Sequence, residues 1–158
     1  MLTRLRLPGS LLERVAGVRS RRNWDETEDF QEAAARAGVA ALEQAGVPRE
    51  RVGLLVNTSV TRATLEPSVA VRIHHLMGLP TSATNFDITN ACLGFVNGLM
   101  LASTLVDAGQ IDYAVVVAAE DASKVQAATV ANLHAETTHR GNFMAVSYTH
   151  LRAHETRG

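Results

Sequence analysis

The residue best suited to covalent chemistry in this chain of 158 residues is its single cysteine, Cys92. It lies in the segment NACLGF, just past the end of a predicted buried strand and at the start of a stretch with the spacing of a helix. In open α/β sheets ligand sites gather beyond the carboxyl ends of strands, and a helix N-terminus stabilises negative charge such as that of a thiolate. From position alone, Cys92 is either a nucleophile or a small buried hydrophobic residue.

The elements around Cys92 follow from three short strand-like stretches and the periodic segments between them. A continuous apolar run predicts a buried strand over 52–58, and further buried strands are predicted over 83–89 and 113–119. Helices are predicted over 25–45, 67–77 and 93–108, each followed by a glycine suited to end a helix, and a weaker pattern predicts one over 121–136. Because the connections are long enough for parallel pairing, we predict an α/β fold with a mainly parallel sheet and flanking helices.

The helix boundaries depend on capping residues. Asp25 or Thr27 is expected to cap the first helix, and Pro67 is expected at the first helical position of the second. In the first helix, Phe30 and several alanines recur at helical spacing and predict a face that packs closely on a neighbour. These alanines are Ala33, Ala34, Ala37, Ala41 and Ala45.

Composition excludes several classes of protein. With 46% hydrophobic and 20% charged residues the chain is globular rather than disordered, and a net charge of -1 gives no basic field for nucleic acid. One cysteine excludes a disulfide framework and a multi-cysteine zinc site. No apolar run approaches the ~20 residues that span a bilayer. The N-terminus lacks the apolar core of a signal peptide, so the cytoplasm is the expected location.

The histidines are not expected to bind a metal. His74 and His75 are neighbours on a predicted helix and point to different faces, which favours surface or core-edge roles. His150 and His154 are four residues apart, but they lie in a segment without apolar periodicity. Read back to DNA, that segment spells the adapter joined to fragment ends in transposase-based sequencing libraries. We therefore expect residues 146–158 to be an artefactual tail.

Residues 86–99, FDITNACLGFVNGL, resemble the active-site segment of the thiolase-like condensing enzymes, most closely the 3-oxoacyl-acyl-carrier-protein synthase III type. Segments 17–25, 40–47 and 107–121 agree with that family in the same order. The resemblance implies a thiolase-like fold, of which residues 1–145 are the N-terminal half. It further implies that Cys92 accepts the acyl group and that its N–H helps to bind the oxyanion.

The same resemblance implies the substrates and partners. The substrate is an acyl-CoA or acyl-carrier-protein thioester, no further cofactor is needed, and the intact protein is a homodimer. Residues 1–24 hold six arginines against Glu13, whereas residues 25–50 hold seven acids. These segments are either two solvated surfaces that face each other or, for the first, a basic lip for the tail of coenzyme A. Leu11 and Val15 replace the tryptophan and arginine that contact this tail in the synthase III type.

Residues 65–68, LEPS, resemble the olefin-pathway (OleA-like) branch of the family. Position alone gives Glu66 the role of a helix-start carboxylate. The resemblance instead implies that Glu66 reaches across the dimer interface and acts as a base on the carbon next to a thioester carbonyl. Two fatty acyl thioesters then condense head to head to a 3-oxo acid without decarboxylation.

Two alternatives stay open. A decarboxylating 3-oxoacyl synthase, which initiates fatty-acid or polyketide chains, uses a malonyl unit and needs no such glutamate. A non-catalytic homologue or assembly module would merely pack Cys92. The family's catalytic histidine and asparagine belong to its second half, and His134 and His139 come too early to match them. The chain as given is therefore expected to be nearly inactive.

Overall fold

The computed structural model describes residues 27–123 together with Arg14, Gly17 and Trp24. Residues 25–121 form one compact unit, and the fold is that of its described residues. Several predictions fall on residues outside this part of the chain. They concern the charge of residues 1–24, the tail at 146–158, the greater part of the helix over 121–136, and Leu11, Val15, Asp25, His134, His139, His150 and His154.

Six elements follow one another between residues 30 and 117. They are α1 (Phe30–Ala45), β1 (Val52–Asn57), α2 (Val69–Met77), β2 (Thr84–Asp87), α3 (Gly94–Asp107) and β3 (Tyr113–Val117). Short 3-10 turns precede β1 (Arg49–Arg51) and α3 (Ala91–Leu93). The six helices and strands were all predicted from the sequence, with ends that differ by a few residues. The prediction that β2 is buried is wrong, because its residues are exposed or half-buried at the edge of the sheet.

The three strands form a parallel sheet in the order β2-β1-β3, with helices on both faces. On one face Leu54 clusters with Ala102 of α3. On the other face Leu55 clusters with Ile73 of α2 and Ala34 of α1. Because both faces of β1 are covered, its sequence is apolar along its length, which confirms the predicted α/β fold. None of the helices in the described residues is long and apolar enough to cross a membrane.

Helix α1 begins later than predicted, because its cap is Asp29 rather than Asp25 or Thr27. The Asp29 side chain accepts a hydrogen bond from the N–H of Gln31 at 2.8 Å. The same carboxylate forms an ion pair with Arg72 of α2 at 2.7 Å, a partner that local sequence does not reveal. The end of the helix is as predicted, since Gly46 adopts the left-handed conformation with φ 65°.

The predicted alanine face of α1 is only partly correct. Phe30 and Ala34 are buried, but Ala37, Ala41 and Ala45 are exposed. The closest approach to a neighbouring helix occurs at Gly38, where an added Cβ would lie 2.7 Å from the terminal carbon of Met77. Because the glycine faces the core, the helix is turned so that these three alanines point outward.

Candidate active site

Cys92 lies in the 3-10 turn between β2 and α3, and its thiol is exposed. The strand and helix that flank it confirm the placement predicted from the sequence. Within the described part of the chain, the N–H of Cys92 donates to no carbonyl or side-chain oxygen, whereas that of Leu93 donates to Asn90. Within that part of the chain, the turn therefore presents the thiol and the N–H of the same residue, the two groups that an acyl-accepting nucleophile uses.

The backbone immediately before the cysteine is strained. Ala91 has φ 44°, in the left-handed region that residues with a Cβ avoid. Such a conformation costs about 1–2 kcal/mol and persists only where the surrounding structure imposes it. The chain therefore turns sharply just before Cys92, and Ala91 is the residue that carries the strain. The sequence gives no signal for this, because alanine is not a residue that favours positive φ.

Gly94 allows the start of α3 to lie close to the sheet. A Cβ at Gly94 would be 3.1 Å from the carbonyl oxygen of Thr58 and 3.4 Å from that of Ile88. One turn later, a Cβ at Gly98 would be 2.9 Å from side-chain atoms of both Thr58 and Val116. The absence of two side chains thus fixes how closely the helix that carries Cys92 packs on β1 and β3.

Glu66 lies in the exposed loop between β1 and α2, directly before Pro67. The prediction that Pro67 begins α2 is wrong, because the helix starts at Val69 with Ser68 as its N-cap. The carbonyl of Pro67 accepts a hydrogen bond from the Thr64 hydroxyl at 2.9 Å, so Pro67 belongs to the loop. Glu66 is consequently not a residue of the helix, and it lies further from the helix N-terminus than the sequence suggests.

The N-terminus of α2 is capped by Asp87, the last residue of β2. One carboxylate oxygen accepts from the N–H of Val69 and the other from the N–H of Ala70, each at 2.9 Å. Ser68, which occupies the N-cap position, makes no side-chain capping bond. A carboxylate from another strand thus binds two N–H groups that the helix itself leaves unpaired, at the positive end of its dipole.

Arg62 connects the loop of Glu66 with the segment that leads to Cys92. One guanidinium nitrogen donates to the hydroxyl of Thr89 at 2.7 Å, and another lies 3.5 Å from Asp87. Thr89 is three residues before Cys92 in the sequence. The two candidate segments are therefore linked through a side chain that neither motif contains.

Buried polar side chains join the carboxyl ends of the strands. Asn57 ends β1 and donates to Asp87 of β2 at 3.0 Å. The side-chain oxygen Oδ1 of Asn57 accepts a hydrogen bond from the Ser59 hydroxyl. The oxygen of that hydroxyl in turn accepts one from the N–H of Ala119 beyond β3. No buried side-chain nitrogen or oxygen in the described residues lacks a hydrogen-bond partner. Such a satisfied network holds the strand ends in one arrangement.

A second carboxylate, Glu120, binds the start of the Glu66 loop. It accepts hydrogen bonds from the N–H of Val60 at 2.5 Å and from the N–H and hydroxyl of Thr61 at 2.9 and 2.6 Å. The loop is therefore fixed at its beginning by Glu120 and at its end by Asp87, while its central residues are exposed.

The structure thus places Glu66 and Cys92 at the same edge of the sheet but does not join them. Within the described residues, neither side chain takes part in a hydrogen bond or an ion pair. Both follow neighbouring parallel strands, β1 and β2, at their carboxyl ends, where ligand sites of α/β sheets gather.

The described histidines have the roles expected from their position. His74 is partly buried and donates through Nε2 to the carbonyl of Pro80 at 3.1 Å, while His75 is exposed. Among the residues that the structure describes, no group of histidine, cysteine, aspartate and glutamate has the arrangement of a metal site.

Asp87, Arg62 and Glu120 were missed by the sequence reasoning. Asp87 carried the best available signal, a carboxylate at the end of a predicted strand. Its partners Val69 and Ala70 precede it by 18 and 17 residues, so no local pattern reveals the contact.

The chain is similar to known proteins over most of its length. Residues 19–151 match the model of the N-terminal domain of thiolase. The chain is 41% identical over 127 residues to the acyl-CoA:acyl-CoA alkyltransferase of Xanthomonas campestris pv. campestris, a match that covers 80% of this chain and 38% of that protein. It is 37% identical over 109 residues to the beta-ketoacyl-[acyl-carrier-protein] synthase III of Oceanobacillus iheyensis, covering 69% of this chain and 35% of the relative.

Solved structures agree with both comparisons. A crystal structure of Xanthomonas campestris OleA with bound lauric acid and lauroyl-CoA superposes with a TM-score of 0.72 at 40% identity, covering 77% of this chain and 36% of that one. The synthase III of Xanthomonas oryzae pv. oryzae superposes with a TM-score of 0.77 at 41% identity, covering 84% and 39%. The chain thus spans well under half the length of the relatives it matches.

Proposed function

This chain belongs to the thiolase family, and from that premise we propose that residues 1–145 are the N-terminal half of a condensing acyltransferase. Its 3-oxoacyl product forms through an acyl-Cys92 intermediate. The observation that carries this proposal is the exposed thiol of Cys92 at the start of α3, next to the strained Ala91. Relatives named for both acyl-CoA and acyl-carrier-protein chemistry support it.

In the first half-reaction the thiolate of Cys92 attacks the carbonyl carbon of an acyl thioester. The carbonyl oxygen becomes an oxyanion that the N–H of Cys92 stabilises. When it collapses, the bond to the carrier sulfur breaks, and the departing thiolate takes up the proton that Cys92 lost before its attack. Exposed apolar residues follow Cys92 directly in the sequence, including Leu93, Phe95 and Val96. They provide the kind of surface on which a fatty acyl chain packs, and the OleA structure with bound lauroyl-CoA supports such a substrate.

In the second half-reaction we assign Glu66 as the base. Its carboxylate removes a proton from the carbon next to the carbonyl of a second acyl thioester, and the resulting carbanion attacks the acyl group on Cys92. A carbon–carbon bond forms, the bond to the cysteine sulfur breaks, and no carbon dioxide is lost. Glu66 is exposed and carries no hydrogen-bond partner in the described residues, which leaves it able to act in the site of a second protomer.

The first test measures acylation of the full-length protein, in which residues 1–145 continue into the C-terminal half. We expect incubation with lauroyl-CoA to add the mass of one lauroyl group, and Cys92→Ala to abolish that gain. Intact-protein mass spectrometry gives the readout. A wild-type protein that gains no mass at Cys92 would instead be a non-catalytic homologue or an assembly module.

The second test separates the two half-reactions. Glu66→Ala is expected to leave acylation of Cys92 within about threefold of wild type and to lower formation of the condensed product by at least about a hundredfold, as removal of a general base does. Glu43→Ala, which removes an exposed carboxylate from α1, is the matched control and should change neither rate. Unchanged condensation by Glu66→Ala would remove Glu66 from the mechanism.

The similarity to synthase III proteins favours a second candidate, a decarboxylating 3-oxoacyl synthase. This activity releases carbon dioxide from a malonyl thioester and does not depend on Glu66. Malonyl-CoA together with lauroyl-CoA is the deciding substrate pair. Stoichiometric release of carbon dioxide that persists in Glu66→Ala would support the decarboxylating reaction over head-to-head condensation.

A further inference from the structure

The two segments that carry Cys92 and Glu66 converge on one buried carboxylate. Asp87 lies five residues before Cys92, and its partners Val69 and Ala70 follow Glu66 by three and four residues. The side chain of Asp87 is only 6% exposed. A carboxylate removed from water in this way is stable only when its oxygens are fully hydrogen bonded.

Each oxygen of Asp87 faces two donors. Oδ1 accepts from the side-chain amide of Asn57 and the N–H of Ala70, at 3.0 and 2.9 Å. Oδ2 accepts from the N–H of Val69 at 2.9 Å and lies 3.5 Å from the guanidinium of Arg62. Hydrogen bonds to an ionised acceptor are stronger and more directional than neutral ones. The arrangement therefore holds the N-terminus of α2 at a fixed position relative to the end of β2.

Arg62 extends this arrangement to the other side of the site. Its guanidinium reaches Asp87 with one nitrogen and the Thr89 hydroxyl with another, so it spans the strand end and the residues that lead to Cys92. Its side chain is 39% exposed, and replacing it leaves the hydrophobic clusters of the sheet intact. The planar guanidinium makes the two contacts through two different nitrogens held in a fixed geometry.

We propose that Asp87 and Arg62 are positioning residues, which set the placement of the Glu66 loop relative to Cys92. This inference depends on the proposed function for its effect on condensation, but not for its effect on the structure of the loop. Asp87 does not contact the reacting atoms. It acts by keeping the base and the nucleophile in the geometry that the second half-reaction requires.

Two substitutions in the full-length protein test the proposal. Asp87→Asn replaces one oxygen by an NH₂ group. Because both oxygens of Asp87 face N–H donors, the NH₂ group would point at a donor in either orientation of the amide. Arg62→Gln removes the bridge to Thr89 at the surface. The matched controls are Asp112→Asn and Arg51→Gln, which alter an exposed arginine–carboxylate pair at the opposite end of β1. There the hydrogen bond to Asp112 raises the pKa of Arg51 above its ordinary value.

The first readout is backbone hydrogen exchange in residues 62–70, measured by mass spectrometry without substrate. We expect exchange to be at least about tenfold faster in Asp87→Asn, as when hydrogen bonds to a charged group are lost, and faster to a smaller extent in Arg62→Gln. The controls should not change it. Unchanged exchange in both site variants would overturn the proposal, whatever their activity.

The second readout compares the two half-reactions. Both variants are expected to acylate Cys92 within about threefold of wild type, while kcat for condensation falls about tenfold or more and KM for lauroyl-CoA is unchanged, as for a small misplacement of the base. If the rates of both half-reactions fell equally, or if only KM changed, the two residues would have a purely structural role and the proposal would be overturned. If exchange responds while wild-type protein never acylates, the proposed function fails and the structural link stands.

Discussion

Gly98→Ala is the substitution that most directly tests how the sheet positions the helix of Cys92. The new Cβ would lie 2.9 Å from Cγ2 of Thr58 and 2.9 Å from Cγ1 of Val116. Since carbon atoms pack at about 3.5 Å or more, α3 must move outward by about 0.6 Å or the two side chains must give way. Both are β-branched with restricted rotamers, so we expect the helix to move.

The energy of this change can be worked out from opposing effects. Alanine gains about 1 kcal/mol of helix propensity over glycine, whereas overpacking a dense interior costs about 1–3 kcal/mol, which leaves a net loss of about 0–2 kcal/mol. The effect on the acylation rate should be larger than this small loss of stability suggests. If a misplacement of 1 Å costs about a hundredfold in rate, a shift of about 0.6 Å lowers the rate of acylation at Cys92 by about tenfold.

Gly38→Ala in α1 is the matched control, because it makes the same chemical change in a buried helical position remote from the site. Its Cβ would meet the end of Met77 at 2.7 and 2.8 Å and Cγ1 of Val117 at 3.1 Å. The unbranched Met77 side chain can adjust, and Val117 has to give way by only a few tenths of an ångström. We expect its stability to stay within about 1 kcal/mol of wild type and its acylation rate to be unchanged.

The assays are urea denaturation and single-turnover acylation with lauroyl-CoA, followed by intact-protein mass spectrometry. A Gly98→Ala protein that acylates as fast as wild type would refute the argument that close packing at this glycine positions the thiol. Equal loss of acylation in Gly38→Ala would refute it as well, because the effect would then be global.

Two further pairs of substitutions test the boundaries of α1. Asp29→Ala should lower the free energy of unfolding by about 0.5–2 kcal/mol through loss of the cap, whereas Thr27→Ala should leave it nearly unchanged. Urea denaturation distinguishes the two variants. A larger loss in Thr27→Ala would mean that the helix starts earlier. Gly46→Val should destabilise by more than about 1 kcal/mol because Gly46 is left-handed, and Gly46→Asn should cost clearly less; equal thermal midpoints of the two variants would argue against strain at this position.

The fold could be predicted from the sequence because its main determinants are local. Residues 52–56 are apolar on both faces of β1, and glycines at 46 and 78 end their helices with positive φ. The start of α2 could not be predicted in the same way. Pro67 is a good first residue for a helix, but the carboxylate that caps this helix comes from Asp87 on another strand.

In the candidate site, too, local features could be predicted from the sequence and long-range contacts could not. Cys92 is recognisable because it stands between a strand and a helix, and both elements are local features. The strain at Ala91 and the link from Arg62 to Thr89 are products of tertiary structure, in which residues far apart in sequence share one hydrogen-bond network. A sequence motif therefore identifies the residues that react. It is a poorer guide to the residues that hold them in place.

Hydrogen bonding separates these two kinds of residue in the described part of the chain. Asp87 and Asn57 are buried and have partners for their side-chain atoms, which limits them to one arrangement. Cys92 and Glu66 are exposed, and their side chains have no such partner. A nucleophile or base that was already fully hydrogen bonded would have to break those bonds before it could react, and the cost would add to the barrier. The rigidity of the site must therefore come from neighbouring residues, which is why substitutions at Asp87 and Arg62 should affect condensation without removing a reacting group.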